Sequence, residues 1–156
     1  MVIRLSSIAY TDVMDLVISF VNSNYNFKSN LRLNYDELKL DKDSIMITNQ
    51  SNDTGSEKRD ITGLFADGAI DVAIYYRIMN NDSGNDDLKS IKLINDLVNF
   101  IELNYKHIKD DSISLSKISN ISSATLVSQY DNNVKDFCGK FRINYFRRLW
   151  LWLVKI

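Results

Sequence analysis

The chain has 156 residues, of which 45% are hydrophobic and 25% charged; these values suit one globular domain and argue against global disorder. Its formal net charge is -1, whereas a protein whose whole surface attracts nucleic acid carries a clear basic excess. The single cysteine excludes an internal disulfide, and the sequence shows neither a signal-peptide core nor the roughly 20 apolar residues of a membrane span, so we expect a cytosolic protein with no membrane partner.

The first half of the chain is predicted to contain one helix and several short strands. Residues 11–22 carry an apolar stripe at helical spacing, with Thr11 as the expected cap and Asp12 and Asp15 in the first turn. Apolar and polar residues alternate at 31–35 and 45–47, which predicts two strands. Residues 49–59 offer no apolar side chain to bury, and we expect a mobile loop there.

The central strands are predicted to flank a tight turn. A strand at 61–65 and a turn at Ala66-Asp67-Gly68 lead into a strand at 70–79. In this last strand the residues at even positions from 70 to 78 share one apolar face.

The second half is predicted to contain the longest helix and a closing hairpin. Residues 86–107 place apolar residues alternately three and four apart, so this helix should cover one face of the sheet. After an extended piece at 113–115, hairpin arms are expected at 124–130 and 135–147 around an Asp-Asn-Asn turn. The pattern predicts an α+β fold in a single domain over 1–148: a mostly antiparallel or mixed β-sheet with a long helix and a shorter N-terminal helix packed on it.

An apolar segment at 149–156 follows this domain. Its sequence is Leu-Trp-Leu-Trp-Leu-Val-Lys-Ile, which would be apolar on both faces as a strand and nearly all round as a helix. A monomer would have difficulty hiding such a segment, and Trp and Arg are enriched at interface hot spots. We therefore interpret it as an interface arm. The candidate interface residues are Leu149, Trp150, Leu151 and Trp152, together with Arg147, Arg148 and Phe65.

Little in the sequence supports an enzyme. His107, the single histidine, follows the last turn predicted for the long helix, where a polar or positive group suits the helix carbonyls. Cys138 falls in a strand without an obvious base, which favours a buried structural thiol. The Asp-rich stretch at 82–87 lacks the ligand order of a calcium loop and is better explained by the helix dipole, with Ser83 or Asn85 as the cap. We expect no catalytic residue, no cofactor and no metal.

Basic and aromatic residues occur together near the C-terminus. They are Lys140, Arg142, Arg147 and Arg148, with Tyr145, Phe146, Trp150 and Trp152. Such a mixture can bind single-stranded nucleic acid through phosphate contacts and base stacking, so a small nucleic-acid-binding module using this strand is one alternative. Because Lys140 and Arg142 alternate with apolar residues, the solvated face of a strand explains them more simply.

Four stretches, together with the order of the elements, carry a resemblance to a known family. They are Leu31-Arg-Leu-Asn-Tyr35, the predicted hairpin at 61–78, the helical stretch at 95–102 with Phe100 where a tryptophan is usual, and the strand at 137–147 with its Tyr-Phe pair. They resemble the tail terminators of long-tailed bacteriophages, often called minor capsid proteins in phages of Gram-positive hosts, and also found in phage-derived tail particles. The resemblance covers about residues 8–147, and residues 149–156 depart from it.

The resemblance implies a structural protein of the virion. Tail terminators form hexameric rings that dock on the last ring of the tail tube, end its polymerisation and present a surface for head attachment. The implied partners are further copies of the chain, the tail tube protein and the head–tail connector, with DNA only as cargo through the lumen. The implied location is the host cytoplasm during assembly and then the tail–neck region. A head-closure or neck connector protein is an alternative in the same class.

Overall fold

The structure of the chain, a computed structural model, describes residues 5–27, 31–50, 57–79, 84–130 and 133–148. Within these ranges lie two helices, α1 (Leu5–Asn24) and α2 (Gly84–Asn104), and a 3-10 turn at Tyr105–His107. The strands are β1 (Leu33–Tyr35), β2 (Ser44–Asn49), β3 (Lys58–Arg59), β4 (Phe65–Ile78), β5 (Ile113–Gln129) and β6 (Lys135–Arg148). The predicted α+β fold, with helices packed on a mixed sheet, is confirmed.

All six strands belong to one sheet, in the order β1-β2-β4-β6-β5, with β3 also paired to β4. β1 and β2 are parallel, and every other pair is antiparallel. The two central strands, β4 and β6, pair from Phe65–Arg148 at one end to Ile78–Lys135 at the other. The sheet therefore has two distinct ends, separated by the length of these strands.

Both helices pack on one face of the sheet and share a single core with it. The alternation predicted for the strand at 70–79 is confirmed, because Ile70, Val72 and Ile74 are wholly buried on this face. On the neighbouring strand β6, Phe137 and Phe141 are also wholly buried. Each such side chain contributes roughly 1.5–3 kcal/mol by leaving water, so the alternating pattern determines which face of the sheet meets the helices.

The aromatic residue noted in the long helix connects the two helices. Phe100 of α2 stacks against Phe20 of α1 at a centroid distance of 5.8 Å and meets the edge of Tyr25 at 5.1 Å. Tyr25 in turn contacts Phe27 at 4.8 Å. The cluster holds the C-terminal end of α1 against α2.

The β1 edge of the sheet is closed by a side chain. Asn22 of α1 donates through its amide nitrogen to the carbonyl of Leu33 at 2.9 Å and accepts from the Leu33 amide at 2.8 Å. A single carboxamide thus satisfies both backbone groups of Leu33, as a neighbouring strand would do. At the other edge, a bridge between Lys109 and Ser114 covers the start of β5.

Two helix predictions need correction. α1 begins at Leu5, so Thr11 is not its cap, and Asp12 and Asp15 lie in its middle. For α2, the aspartates Asp86 and Asp87 do occupy the first turn, as predicted. Of the two proposed caps, Ser83 lies outside the described residues, and Asn85 is within the helix rather than before it.

Three strand predictions also differ from the structure. The turn expected at 66–68 lies instead at 60–64, and Ala66, Asp67 and Gly68 belong to β4. The separate pieces at 113–115 and 124–130 are one 17-residue strand, β5, interrupted by bulges. Each bulge shifts the alternation by one residue, so no single period runs through β5. Of the loop predicted at 49–59, residues 51–56 lie outside the described ranges, while Asn49 ends β2 and Lys58–Arg59 form β3.

Among the described residues, neither helix has the combination of length and apolar character needed to cross a membrane.

The turn predicted at 131–133 is described only at Asn133. Its backbone has φ 58°, in the left-handed region that Asn tolerates.

Candidate functional site

The end of the sheet at Phe65 and Arg148 gathers exposed apolar and basic groups. We call it the turn end and define it by Ile61, Leu64, Phe65, Phe146 and Arg148. Phe65 and Phe146 stack on the face opposite the helices, with ring centroids 5.5 Å apart. Phe146 lies between two shallow clefts of about 270 and 600 Å³. The turn end therefore combines a projecting apolar turn with an aromatic surface.

The turn at 60–64 is held in shape by Asp60. Its carboxylate accepts from the Thr62 hydroxyl at 2.8 Å and from the Phe65 amide at 3.4 Å, and its carbonyl accepts from the Gly63 amide at 3.1 Å. The hydrogen bonds to the carboxylate lower the pKa of Asp60, chiefly the one from Thr62. Gly63 has φ 71°, a conformation that favours glycine.

Ile61 lies at the tip of this turn and is entirely exposed, and Leu64 beside it is 36% exposed. A fixed turn that presents apolar side chains to water loses little conformational entropy when a partner covers it. The turn at 60–64 thus has the properties of a preorganised protein-docking element.

A buried ion pair anchors this hairpin to the rest of the sheet. Arg147 of β6 is completely buried, and its Nη2 donates to Oε1 of Glu57, which directly precedes β3. The other oxygen of Glu57 accepts from the Tyr145 hydroxyl at 2.7 Å. Breaking a buried ion pair costs several kcal/mol, so this contact fixes the position of β3 on the sheet.

Gly68 makes room for the tyrosine of this network. A Cβ atom at Gly68 would lie 2.3 Å from the ring carbon Cζ and from the hydroxyl of Tyr145. The glycine is therefore required inside a strand, where its missing side chain lets the ring reach Glu57. This is the physical reason why the sequence prediction of a turn at Gly68 was wrong.

The network is acidic on its helix side. Asp12 of α1 has a raised pKa, first because it is partly buried and then because of the nearby charges of Asp110 and Asp15; Arg147 acts in the opposite direction. The buried guanidinium is thus close to carboxylates from both α1 and the segment before β3.

The structure describes only some of the predicted interface residues. Leu149, Trp150, Leu151 and Trp152 lie outside the described residues, and their role stays a prediction. Arg148 is exposed and Phe65 is half-buried at the turn end. The prediction that Arg147 belongs to an exposed interface needs correction. Its side chain is 0% exposed and paired with Glu57, because it points to the helix face of β6 and not to solvent.

Two residues that the sequence did not single out are central to this site. Glu57 was assigned to a mobile loop because its neighbours are polar, and Ile61 was assigned to the start of a strand at 61–65. The Asp60-Ile-Thr-Gly sequence contains the signal that could have found the turn, since Asp and Thr side chains cap turns and Gly accepts positive φ.

Among the described residues, no group of three or more His, Cys, Asp or Glu side chains could hold a metal ion. Burial raises the pKa of the Cys138 thiol, although Tyr75 and Lys140 act in the opposite direction. The protonated form is therefore favoured, which is the opposite of what a nucleophilic cysteine needs. His107 is exposed in the 3-10 turn after α2.

Most cations of the basic strand β6 have acidic partners within the same subunit. Lys135 contacts Asp87 at 3.0 Å, and Arg142 contacts Asp71 at 2.6 Å. With Arg147 also paired, the cations of β6 that remain without a carboxylate within 4.0 Å in the described structure are Lys140 and Arg148. Two such charges give only a weak attraction for a phosphate backbone.

Neither the models of known protein families nor the curated proteins match this sequence. Its function must therefore be inferred from the surface just described and from the sequence itself.

Proposed function

We propose that this chain is a structural assembly protein whose copies form a ring on the end of a phage tail tube. The ring would end polymerisation of the tube and present a surface for head attachment. The observation that carries the assembly role is the turn at 60–64, where hydrogen bonds through Asp60 hold Ile61 entirely in solvent.

A contiguous exposed apolar patch on a protein surface marks an interaction site, and a turn that is already fixed loses little conformational entropy when a partner covers it. The buried Glu57–Arg147 pair supports the same interpretation, because it maintains the turn at a defined place on the sheet. The described residues also lack a cluster of ionisable groups suited to metal binding.

The resemblance to tail terminators narrows the kind of assembly. The four stretches that carry it contribute to the edge strand β1, the two central strands β4 and β6, and the long helix α2. A ring of identical subunits needs two different patches that fit one another, with a rotation that closes. The partners proposed here are further copies of the chain, the tail tube protein and the head–tail connector.

Electron microscopy of phage particles that lack this protein tests the proposal. We expect tails longer than normal and no attached heads, because nothing stops the addition of tube subunits. Tails of normal length beside unattached heads would instead indicate a neck or head-closure protein. Particles of normal length with attached heads would refute both.

The nucleic-acid alternative is less well supported by the geometry. A module of that kind would lose affinity steeply as the salt concentration rises, because phosphate contacts release counterions. The pairing of Lys135, Arg142 and Arg147 with carboxylates leaves few cations for such contacts.

A further inference from the structure

We propose that the turn at 60–64 of one copy inserts into a groove at the opposite end of the sheet of the next copy. This inference rests on the proposed function, since it names the contact that would join neighbouring subunits of the ring. It requires a projecting group, a receptor that matches it in shape and charge, and a geometry that repeats. Each is supported by residues of the described structure.

The projecting group is the turn with its basic flank. Ile61 is fully exposed and Leu64 partly exposed, and the preceding strand β3 carries the exposed cations Lys58 and Arg59. Because Asp60 already fixes the turn through local hydrogen bonds, insertion would not need to order it. The apolar tip and the positive charge that precedes it are therefore presented in one rigid unit.

The receptor is a groove of about 710 Å³ between α2, the end of α1 and the ends of β2 and β4. Its apolar lining comes from half-buried side chains of Tyr25, Leu31, Tyr76, Ile78 and Leu93. A volume of this size lies within the range of ligand-binding clefts. The groove can accept an isoleucine and a leucine on a tight turn.

The rim of the groove complements the charge of the turn. Asp43, Asp86 and Asp96 line it, against two lysines, Lys89 and Lys92. Two tyrosines of the groove, Tyr25 and Tyr76, have raised pKa values. Burial is the main cause for both, and the second cause is the negative charge of Asp96 for Tyr25 and of Asp43 for Tyr76. The carboxylates are therefore close to the apolar floor, where Lys58 and Arg59 would approach them.

The positions of the two surfaces make the contact head-to-tail. The turn adjoins Phe65 at the start of β4, and the groove includes Ile78 at its end. At about 3.3 Å per residue these ends are roughly 45 Å apart, so one subunit cannot fill its own groove. A contact between two different patches repeats from copy to copy, and it yields a closed ring when the rotation between copies closes.

The first test is Ile61→Asp, measured by native mass spectrometry and sedimentation. The monomer should keep its fold, because the side chain of Ile61 lies outside the core. Burying an aspartate in the apolar groove should weaken self-association by at least about tenfold. Leu103→Asp is the matched control: Leu103 is 83% exposed on the outer side of α2, and its variant should assemble like the wild type.

The second test blocks the groove and uses mixtures. Asp96→Arg places a long cation at the exposed rim, and alone it should weaken assembly as Ile61→Asp does. Mixing equal amounts of the two variants should give a species of two copies and nothing larger. In such a pair, the intact turn of the Asp96→Arg chain fills the intact groove of the Ile61→Asp chain, and both remaining surfaces are defective.

Several results would overturn this contact. If wild-type rings form and both variants form them equally well, the contact is wrong while the ring proposal stands. If the mixture restores full rings or gives monomers only, the interface is not turn-to-groove. A wild-type chain that stays monomeric at the highest soluble concentration also refutes self-assembly through this contact, whereas the tail-terminator proposal is still decided by microscopy of the particles that lack the protein.

Discussion

Replacing Glu57 by Gln isolates the contribution of the buried ion pair at the turn end. Gln keeps the shape of the side chain and an oxygen that can accept from Tyr145, but it removes the charge opposite Arg147, which is completely buried. Removing one partner of a buried pair costs about 3–5 kcal/mol. Because Asp12 also attracts Arg147, we expect about 3 kcal/mol, the lower end of that range.

The exposed pair on the opposite face of the sheet provides the control. Arg142 and Asp71 form two hydrogen bonds, at 2.6 and 3.1 Å, but their side chains are 50% and 37% exposed. Solvent screens such a pair, so Asp71→Asn should cost only about 0.2–1 kcal/mol. The two substitutions are the same kind of chemical change in different surroundings.

Urea unfolding of both variants measures the difference. With a denaturant slope of about 2 kcal/mol per molar, Glu57→Gln should lower the midpoint by about 1.5 M, and Asp71→Asn by less than about 0.5 M. Equal losses of stability, within about 0.5 kcal/mol at that slope, would refute the claim that burial makes Glu57–Arg147 an anchor. A loss of about 3 kcal/mol is a large part of the 5–15 kcal/mol typical of a domain.

Three further substitutions test other parts of the fold. Gly68→Ala should cost about 1–3 kcal/mol in urea unfolding, because the new methyl group displaces the Tyr145 ring; an unchanged midpoint would contradict the close approach. Asp12→Asn should raise the melting temperature at pH 7, since a carboxyl with a raised pKa weakens the folded state once ionised. That gain should fade as the pH falls below 3.8, where Asp12 becomes protonated in both states; a gain independent of pH would exclude this cause. Asn22→Ala should cost about 1–3 kcal/mol by leaving both backbone groups of Leu33 unsatisfied, whereas Asn24→Ala, which loses one exposed bond to its own helix, should be nearly neutral in the same assay.

The amino-acid sequence was sufficient to predict the helices and strands that have a regular pattern of apolar residues. In the predicted strand at 70–79 and in β6, alternation of apolar and polar residues identified both the strand and its buried face. In α2, the spacing of three and four identified the helix and the side that packs on the sheet. These predictions succeeded because the apolar residues of each element recur with the period of its secondary structure.

The arrangement of the turn end, in contrast, depends on contacts between distant parts of the chain. Glu57 and Arg147 are 90 positions apart in the chain, and nothing near either residue reveals that the other neutralises its charge. Likewise, Gly68 suggests a turn until the ring of Tyr145 lies against it. Local patterns determine which side of an element is apolar, whereas the identity of the group across from it depends on the register between distant strands.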